Sequence, residues 1–325
     1  MKILFVCSGK QGDANPIIKN QGESLRRAGV ELDYYIVRGG AKGYLTNIKP
    51  LRKQIKEGGY DVVHAHFAFC GYTVNMATRG LNIPVVVSLM GSDIWDHKWY
   101  PPVVRFAARR WKAVIVKSAE MRNRVGIERA IVVPNGVNME RFNEKSKGKC
   151  QELLGWDEKK LHVLFPARPF EARKNWPLAS SAVEVLNKQR VNSEELIVNN
   201  NKEIELHAMV GVKNEETPIW YNAADAVVLP SFYEGSANAV KETLACNTPI
   251  VTTDMGDCRE RIEGVKGSYV AKTFEVEEFA VLLGKALAFG GKTDGRERLL
   301  KDGIADWQIA ERIIKIYEKS MIDDR

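Results

Sequence analysis

Short apolar runs alternate along this chain with stretches whose apolar residues recur at helical spacing. KILFVC (2–7), VELDYYIV (30–37), DVVHAHF (61–67), PVVVSLM (84–90), AVIVKS (113–118) and AIVVPN (130–135) read as strands. Between them, Asn15-Pro16 opens a helix, with proline at a position where no backbone N–H is needed, and residues 48–57 and 70–80 also read as helical. The polar stretch 143–149 breaks the alternation and predicts a linker. The pattern then restarts with LHVLFPA (161–167), ELIVN (195–199), IELHAM (204–209), AVVLP (226–230), PIVTT (249–253) and GSYVA (267–271) as strands, with a helix over 176–189. A last amphipathic helix is predicted over 306–319, from Trp307, Ile309, Ile313, Ile314, Ile316 and Tyr317. Near-continuous apolar strands alternating with helices predict parallel sheets covered on both faces. The expected fold class is therefore α/β: two doubly wound units in succession with a cleft between them. In such sheets ligands bind outside the carboxyl ends of the strands, so the loops that follow strands are the informative ones.

At 325 residues the chain is long enough for two domains, and 45% apolar residues can fill two cores. The opening run is too short before polar and Gly residues for a secretory leader, and no run approaches bilayer length. Five scattered cysteines without a CxxC pair fit a reduced, cytoplasmic protein. Charge is uneven. Residues 1–150 hold 25 Lys+Arg and 12 Asp+Glu, or +13; the remaining 23 and 29 give −6, and the sum is the +7 of the whole chain. A basic first half suits an anionic partner, such as a lipid phosphate, an anionic membrane or an acidic glycan.

The most informative stretch is VVLPSFYEGSANAVKETLA. A strand runs into a Gly-containing turn that opens a helix at about 236–238, and a helix start carries unpaired N–H groups and partial positive charge that attract phosphate. Glu234 lies in the turn, and Glu242 about one and a half turns inside the helix. Two carboxylates so placed can accept hydrogen bonds from hydroxyls on either side of a diphosphate, the layout of a nucleotide-sugar. Arg168 and Lys174 share the loop after the strand ending at Ala167, where two cations can hold a diphosphate and neutralise charge developing on it. The loop 8–15 (SGKQGDAN), including Gly12, is polar but has no G-x-G-x-x-G fingerprint. His64 and His66 at the end of one strand are expected on opposite faces, with His66 turned towards the cleft; their spacing fits no common zinc motif. Residues 90–112 mix aromatic and basic side chains, with Arg105 and Arg109 one helical turn apart near Trp95, Trp99, Tyr100 and Trp111. That mixture suits a membrane interface, a sugar-binding cleft or a helix with an aromatic core face.

Together these residues resemble the retaining glycosyltransferases of family 4, which have the GT-B fold. PSFYEGSANAVKE matches that family's E-x7-E signature, and Arg168 to Lys174 its R-x5-K phosphate pair. VGVKNEETPIWYNAADAVVLPS, PVVVSLMGSD and DWQIAERIIKIYEKS resemble its lead-in to the signature, its acceptor-side loop and its closing helix. The resemblance implies a Rossmann-like acceptor domain over 1–147, a nucleotide-sugar donor domain over 148–305, and a helix over 306–325 that returns to the first domain. It implies that Arg168 and Lys174 hold the leaving diphosphate and that Glu234 contacts the donor sugar. Gly235, Ser236, Ala237 and Asn238 would contact sugar and phosphate, Glu242 the ribose, and the loop from Val210 and Gly211 to Lys213 the base. No cofactor or metal is expected. The acceptor would be a glycan, a lipid-linked saccharide or another hydroxyl compound, in surface polysaccharide or glycoconjugate synthesis. Peripheral contact with an anionic inner membrane face is a further expectation, and nucleic acid is not an expected partner.

One position departs from the pattern. Where many members carry a histidine before the glycine of the acceptor-side loop, this chain has Met90, followed by Gly91, Ser92 and Asp93. Methionine cannot take that histidine's proton or its strong hydrogen bonds. Ser92, Asp93 or His66 are the candidates to compensate. The same departure motivates one alternative, a non-catalytic nucleotide-sugar-binding subunit; a second alternative is a nucleotide-sugar epimerase on the same fold.

Overall fold

The computed structural model describes residues 1–9, 13–192 and 202–322 of the chain. The expected strand at 195–199, and Gly12, lie outside the described residues. The chain divides into two compact units, one of residues 1–136 and 306–325 and the other of residues 137–305.

The first unit contains β1 (Lys2–Ser8), α1 (Pro16–Arg27), β2 (Glu31–Val37), α2 (Gly40–Thr46), α3 (Ile48–Gly58), β3 (Val62–His66), α4 (Ala68–Ala77), β4 (Val85–Ser88), α5 (Ser92–Trp95), α6 (Tyr100–Ala108), β5 (Ala113–Val116), α7 (Ala119–Val125) and β6 (Ile131–Val132). The strands form one parallel sheet in the order β2-β1-β3-β4-β5-β6. Helix α1 is capped by the Asn15 side chain, which accepts the Ile17 N–H, with Pro16 at its first position. One face of the sheet buries Leu4, Val6, Val63 and Val87 against α3, α4 and α6; the other buries Ile3, Phe5, Val62, Val86 and Ile115 against α1.

The second unit contains α8 (Lys147–Leu154), β7 (Leu161–Phe165), α9 (Trp176–Asn192), β8 (Ile204–Ala208), α10 (Thr217–Ala223), β9 (Ala226–Leu229), α11 (Asn238–Ala245), β10 (Ile250–Thr253), α12 (Cys258–Ile262), β11 (Tyr269–Ala271), α13 (Val276–Phe289) and α14 (Gly295–Lys301). Its parallel sheet has the order β11-β10-β9-β7-β8. The boundary falls eleven residues earlier than the polar stretch suggested, because Val137, Met139 and Phe142 already pack into the second unit's core. The Arg296 guanidinium pins that segment further, donating to the carbonyls of Met139 (2.8 Å) and Phe142 (2.7 Å).

Helix α15 (Asp306–Ile322) belongs to the first unit. Its stripe of Ile309, Ala310, Ile313, Ile316 and Tyr317 is buried on the same sheet face as α1. Tyr317 hydrogen-bonds His64 Nδ1 at 2.5 Å, and Arg27 pairs with Asp306 at the start of the helix. All five cysteines are buried free thiols, and no described helix is long and apolar enough to cross a membrane.

Candidate functional site

Strand order fixes where each sheet exposes a ligand crevice. In the second unit β7 continues to β8 on one side and to β9 on the other, so the order reverses between β7 and β9. The loop after β7 carries Arg168, Arg173 and Lys174, and the loop after β9 carries Glu234. The two loops meet. Phe232 N–H donates to the Arg173 carbonyl at 2.9 Å. One Glu234 carboxylate oxygen accepts from Arg173 at 2.5 Å and from Lys174, with Ser231 Oγ at 3.4 Å. The Lys174 and Glu234 side chains are each only 13% exposed, so this charge cluster is half-withdrawn from water and weakly screened.

Local backbone sets up these positions. Lys174 ends a one-turn 3-10 helix (Ala172–Lys174), and Asn175 after it adopts the left-handed conformation that asparagine tolerates. Gly256, in the loop after β10, has φ +57, and a Cβ there would lie 2.8 Å from the carbonyl oxygens of both Glu234 and Gly235. The absence of a side chain lets this loop back the Glu234 turn directly.

Helix α11 opens after Ala237, so the positive end of its dipole lies beside that turn. Ser236 does not present a free hydroxyl: its Oγ donates to Asp257 at 2.8 Å and accepts from Lys241 Nζ at 3.1 Å. Lys241 is buried beneath the helix start, where desolvation pushes its ammonium down to about 8 despite the attraction of Asp257. Glu242 accepts from the Tyr221 hydroxyl at 2.8 Å; burial raises its carboxyl, opposed by that bond and by Arg141, Lys241 and Lys174. Val210 and Gly211 lie exposed in the loop after β8.

Of the two expected diphosphate cations, only Lys174 joins Glu234. Arg168 is exposed, and its guanidinium sits 5.9 Å from the centre of the Phe170 ring. Arg173 and Lys241 were missed in the sequence. Arg173 was legible as the basic neighbour of Lys174, and Lys241 as the only cation inside an otherwise apolar helix start.

In the first unit, Asp93 is fully withdrawn from solvent. Its carboxylate accepts backbone N–H groups from Ala68 (2.9 Å), Met90 (3.0 Å) and Gly91 (2.9 Å), joining the loops after β3 and β4. Burial still pushes its carboxyl up to about 6, against those donors. The acid is thus a loop brace and not a free proton carrier. Ser92 is exposed at the start of α5, Gly91 has φ +115, and Met90 is half-buried against the sheet core.

His64 and His66 point to the same face, not to opposite faces, because strand residues two apart share a side. Their rings stack at 4.3 Å, and His66 packs on Phe5 at 4.4 Å. Both are fully buried, and burial holds both well below the usual imidazole range. His66 makes no hydrogen bond among the described residues and is a core residue. Trp111 is likewise core, while Trp95 lies 4.2 Å from the Arg124 guanidinium and Trp99 is exposed.

One group among the described residues could hold a metal ion: His162, Glu205 and His207, whose ligand atoms lie within 4.8 Å of one another. They lie on β7 and β8 themselves, not in the loops that carry Lys174 and Glu234. His162 Nδ1 and His207 Nε2 already share a hydrogen bond at 2.9 Å, and Glu205 pairs with Lys160 at 3.6 Å.

Two parallel sheets in two compact units, with a cation–carboxylate cluster beside a helix start in the second, are the architecture that the comparisons with known proteins share. The chain belongs to the family 4 glycosyltransferases: the Glycosyltransferase Family 4 model matches residues 7–141, and the Glycosyl transferases group 1 model matches residues 162–288. The chain is 24% identical over 251 residues to a D-inositol 3-phosphate glycosyltransferase of Pseudarthrobacter chlorophenolicus, covering 65% of this chain and 59% of that one. It is 28% identical over 212 residues to the putative teichuronic acid biosynthesis glycosyltransferase TuaC of Bacillus subtilis, covering 60% and 54%. The chain thus spans under two thirds of the length of these relatives. Among solved structures it has the GT-B fold of sucrose-phosphate synthase from Thermosynechococcus elongatus, with TM-score 0.76 at 15% identity over 98% of this chain and 99% of that one. Anabaena HepE in complex with UDP and glucose superposes with TM-score 0.71 at 16% identity over 97% and 98%.

Proposed function

We propose that the chain is a retaining, metal-independent glycosyltransferase that moves a sugar from a nucleotide-diphosphate-sugar to a glycan, lipid-linked or other hydroxyl acceptor. The observation that carries this reading is the Glu234 carboxylate held against Lys174 and Arg173 across the switch point of the second sheet, at the start of α11.

In this reading Lys174, assisted by Arg173 and Arg168, holds the leaving diphosphate and neutralises the charge that accumulates as the bond to the sugar breaks. The positive dipole end of α11 attracts the same group, and buried Lys241 adds positive potential beneath it. Glu234 accepts from donor-sugar hydroxyls, Glu242 from the ribose, and the base lies against Val210 and Gly211. The HepE complex with UDP and glucose is consistent with a UDP-sugar donor here. The relatives' names place inositol phosphate and teichuronic acid among the acceptor chemistries to test. With Met90 in place of a histidine and Asp93 engaged as a brace, neither residue supplies the proton transfer of the family histidine. The cations on the leaving group therefore carry the chemistry.

Turnover with UDP-sugars and a panel of acceptors tests this. Lys174→Ala and Glu234→Ala are expected to lose at least about 100-fold in kcat while circular dichroism and melting stay native-like. Wild-type rates in both variants refute the assignment. Met90 also favours a second reading, a non-catalytic nucleotide-sugar-binding protein. Calorimetric donor binding with no nucleotide release for any acceptor supports that reading instead.

A further inference from the structure

A cavity of about 610 Å³ opens in the first unit. It is walled by residues that follow β2 (Tyr44), β3 (Phe67, Phe69 and Tyr72) and β4 (Tyr100), so it lies towards the carboxyl ends of those strands, with β1 between the first two. Sheets of this kind bind ligands at that end, and the volume is that of a small-molecule site. Phe69 stands at the centre of the aromatic wall, with ring centres 5.3–5.6 Å from those of Phe67, Tyr44, Tyr72 and Tyr100. Leu45 and Met76 form the rim and are 72% and 51% exposed, large apolar surfaces left open to water.

Two further observations point to a ligand. Phe67 adopts φ +87 and ψ +136, a backbone conformation that a side chain of its size disfavours; strained backbone of this kind clusters at ligand sites. The surroundings are also strongly cationic. From Arg38 to Gly58 there are six Lys+Arg and one acid, Glu57; from Lys98 to Lys112 there are five and no acid. Arg38, Lys42, Lys49 and Lys98 are exposed, and the two acids between β4 and β5 are Asp93, which is buried, and Asp96, which faces solvent. On α6, which contributes Tyr100 to the cavity, Phe106 is 72% exposed between Arg105 and Arg109. An apolar pocket whose lining segments also carry exposed cations, Lys42 beside Ala41 and Lys49 beside Ile48, complements an apolar chain with an anionic head.

We propose that this cavity receives the hydrocarbon chain of a lipid-phosphate acceptor, with its phosphate on the surrounding lysines and arginines. The inference rests on the glycosyltransferase reading above and names the acceptor class for it. The chain's apolar surface leaves water against the aromatic wall. The phosphate stays at the rim, paired with cations, and places the acceptor hydroxyl at the carboxyl end of the sheet.

Calorimetric titration of the full chain with farnesyl phosphate, geranyl phosphate and inorganic phosphate tests the proposal. Farnesyl phosphate is expected to bind, geranyl phosphate at least about tenfold more weakly because it buries one isoprene unit less, and inorganic phosphate not measurably at the same concentration. Leu45→Asp and Met76→Asp, both at exposed rim positions, are each expected to weaken farnesyl phosphate binding about tenfold or more. Lys42→Glu combined with Lys49→Glu is expected to weaken it as well. A UDP-sugar titrated into the same variants should bind as it does to wild type, which separates loss of the cavity from misfolding. Absent farnesyl phosphate binding in a chain that binds the donor, affinity independent of chain length, or rim variants that bind like wild type each overturn the proposal. So does sedimentation with phosphatidylglycerol vesicles without binding of monomeric farnesyl phosphate, which marks a surface contact. Farnesyl phosphate binding by a chain that binds no UDP-sugar keeps the cavity and overturns the transferase reading instead.

Discussion

Lys174 and Arg173 share one oxygen of Glu234. The residue proposed to touch the donor sugar therefore also neutralises the cations proposed to hold its diphosphate. A bound diphosphate must compete with that carboxylate for both cations.

Glu234→Gln removes the competing charge and keeps the shape. Nucleoside diphosphate is expected to bind about tenfold more tightly to this variant, roughly 1.4 kcal/mol, while turnover of the nucleotide-sugar falls about 100-fold. Calorimetry and steady-state kinetics on one preparation check both. A loss of diphosphate affinity would contradict the competition.

Asp93 carries a pH dependence. Its folded carboxyl, near 6, lies above the ordinary aspartate value of 3.8, so the folded state holds more protons between these values. The contribution of Asp93 is therefore full below about pH 4 and lost as pH rises to about 6, at a cost of about 3 kcal/mol. Urea denaturation at half-unit pH steps should give this slope in wild type and not in Asp93→Asn. Asp93→Ala, which leaves three buried N–H groups without an acceptor, should cost several kcal/mol at any pH.

Tyr221→Phe deletes the hydroxyl that donates to Glu242. A loss of about 1–2 kcal/mol in stability is expected from denaturant melts. If Glu242 holds the ribose, the KM for the donor should rise several-fold with little change in kcat.

Gly256→Ala would place a methyl 2.8 Å from two carbonyl oxygens of the Glu234 turn, at a φ of +57. The turn must move, so activity should fall at least about tenfold, with about 1–2 kcal/mol lost in stability. Kinetics together with thermal melting separate the two effects.

Metal removal is expected to leave the reaction unchanged. Assays after dialysis against a chelator should match untreated enzyme. A loss restored by a divalent ion and abolished in His207→Ala would assign catalysis to the His162, Glu205 and His207 group instead.

Much of the fold was legible because the strands are buried on both faces: runs such as ILFV and AVIV leave little alternative to parallel sheets with helices over them. The Glu234 turn was legible because a strand, a glycine turn and a helix start have separate local signatures. What sequence reading missed depends on packing or on pairing at a distance. Asp93 looked like a spare acid because its three N–H donors come from two different loops. The 143–149 stretch looked like the linker because polarity marks exposure, whereas the unit boundary is set by Val137, Met139 and Phe142 packing into the second unit's core. The placing of His64 and His66 was an error of period, since residues two apart on a strand face one way. The aromatic cavity gave no periodic signal, since its walls come from three separate segments.

The buried bond between His64 and Tyr317 joins residues 253 positions apart. A chain emerging from the ribosome must therefore make its whole second unit before α15 is available to cover the apolar face of the first sheet. Until then the sheet face that buries Ile3, Phe5 and Ile115 has α1 but not α15 to cover it. Synthesis of α15, not completion of the first unit's own strands, is what allows that unit to close.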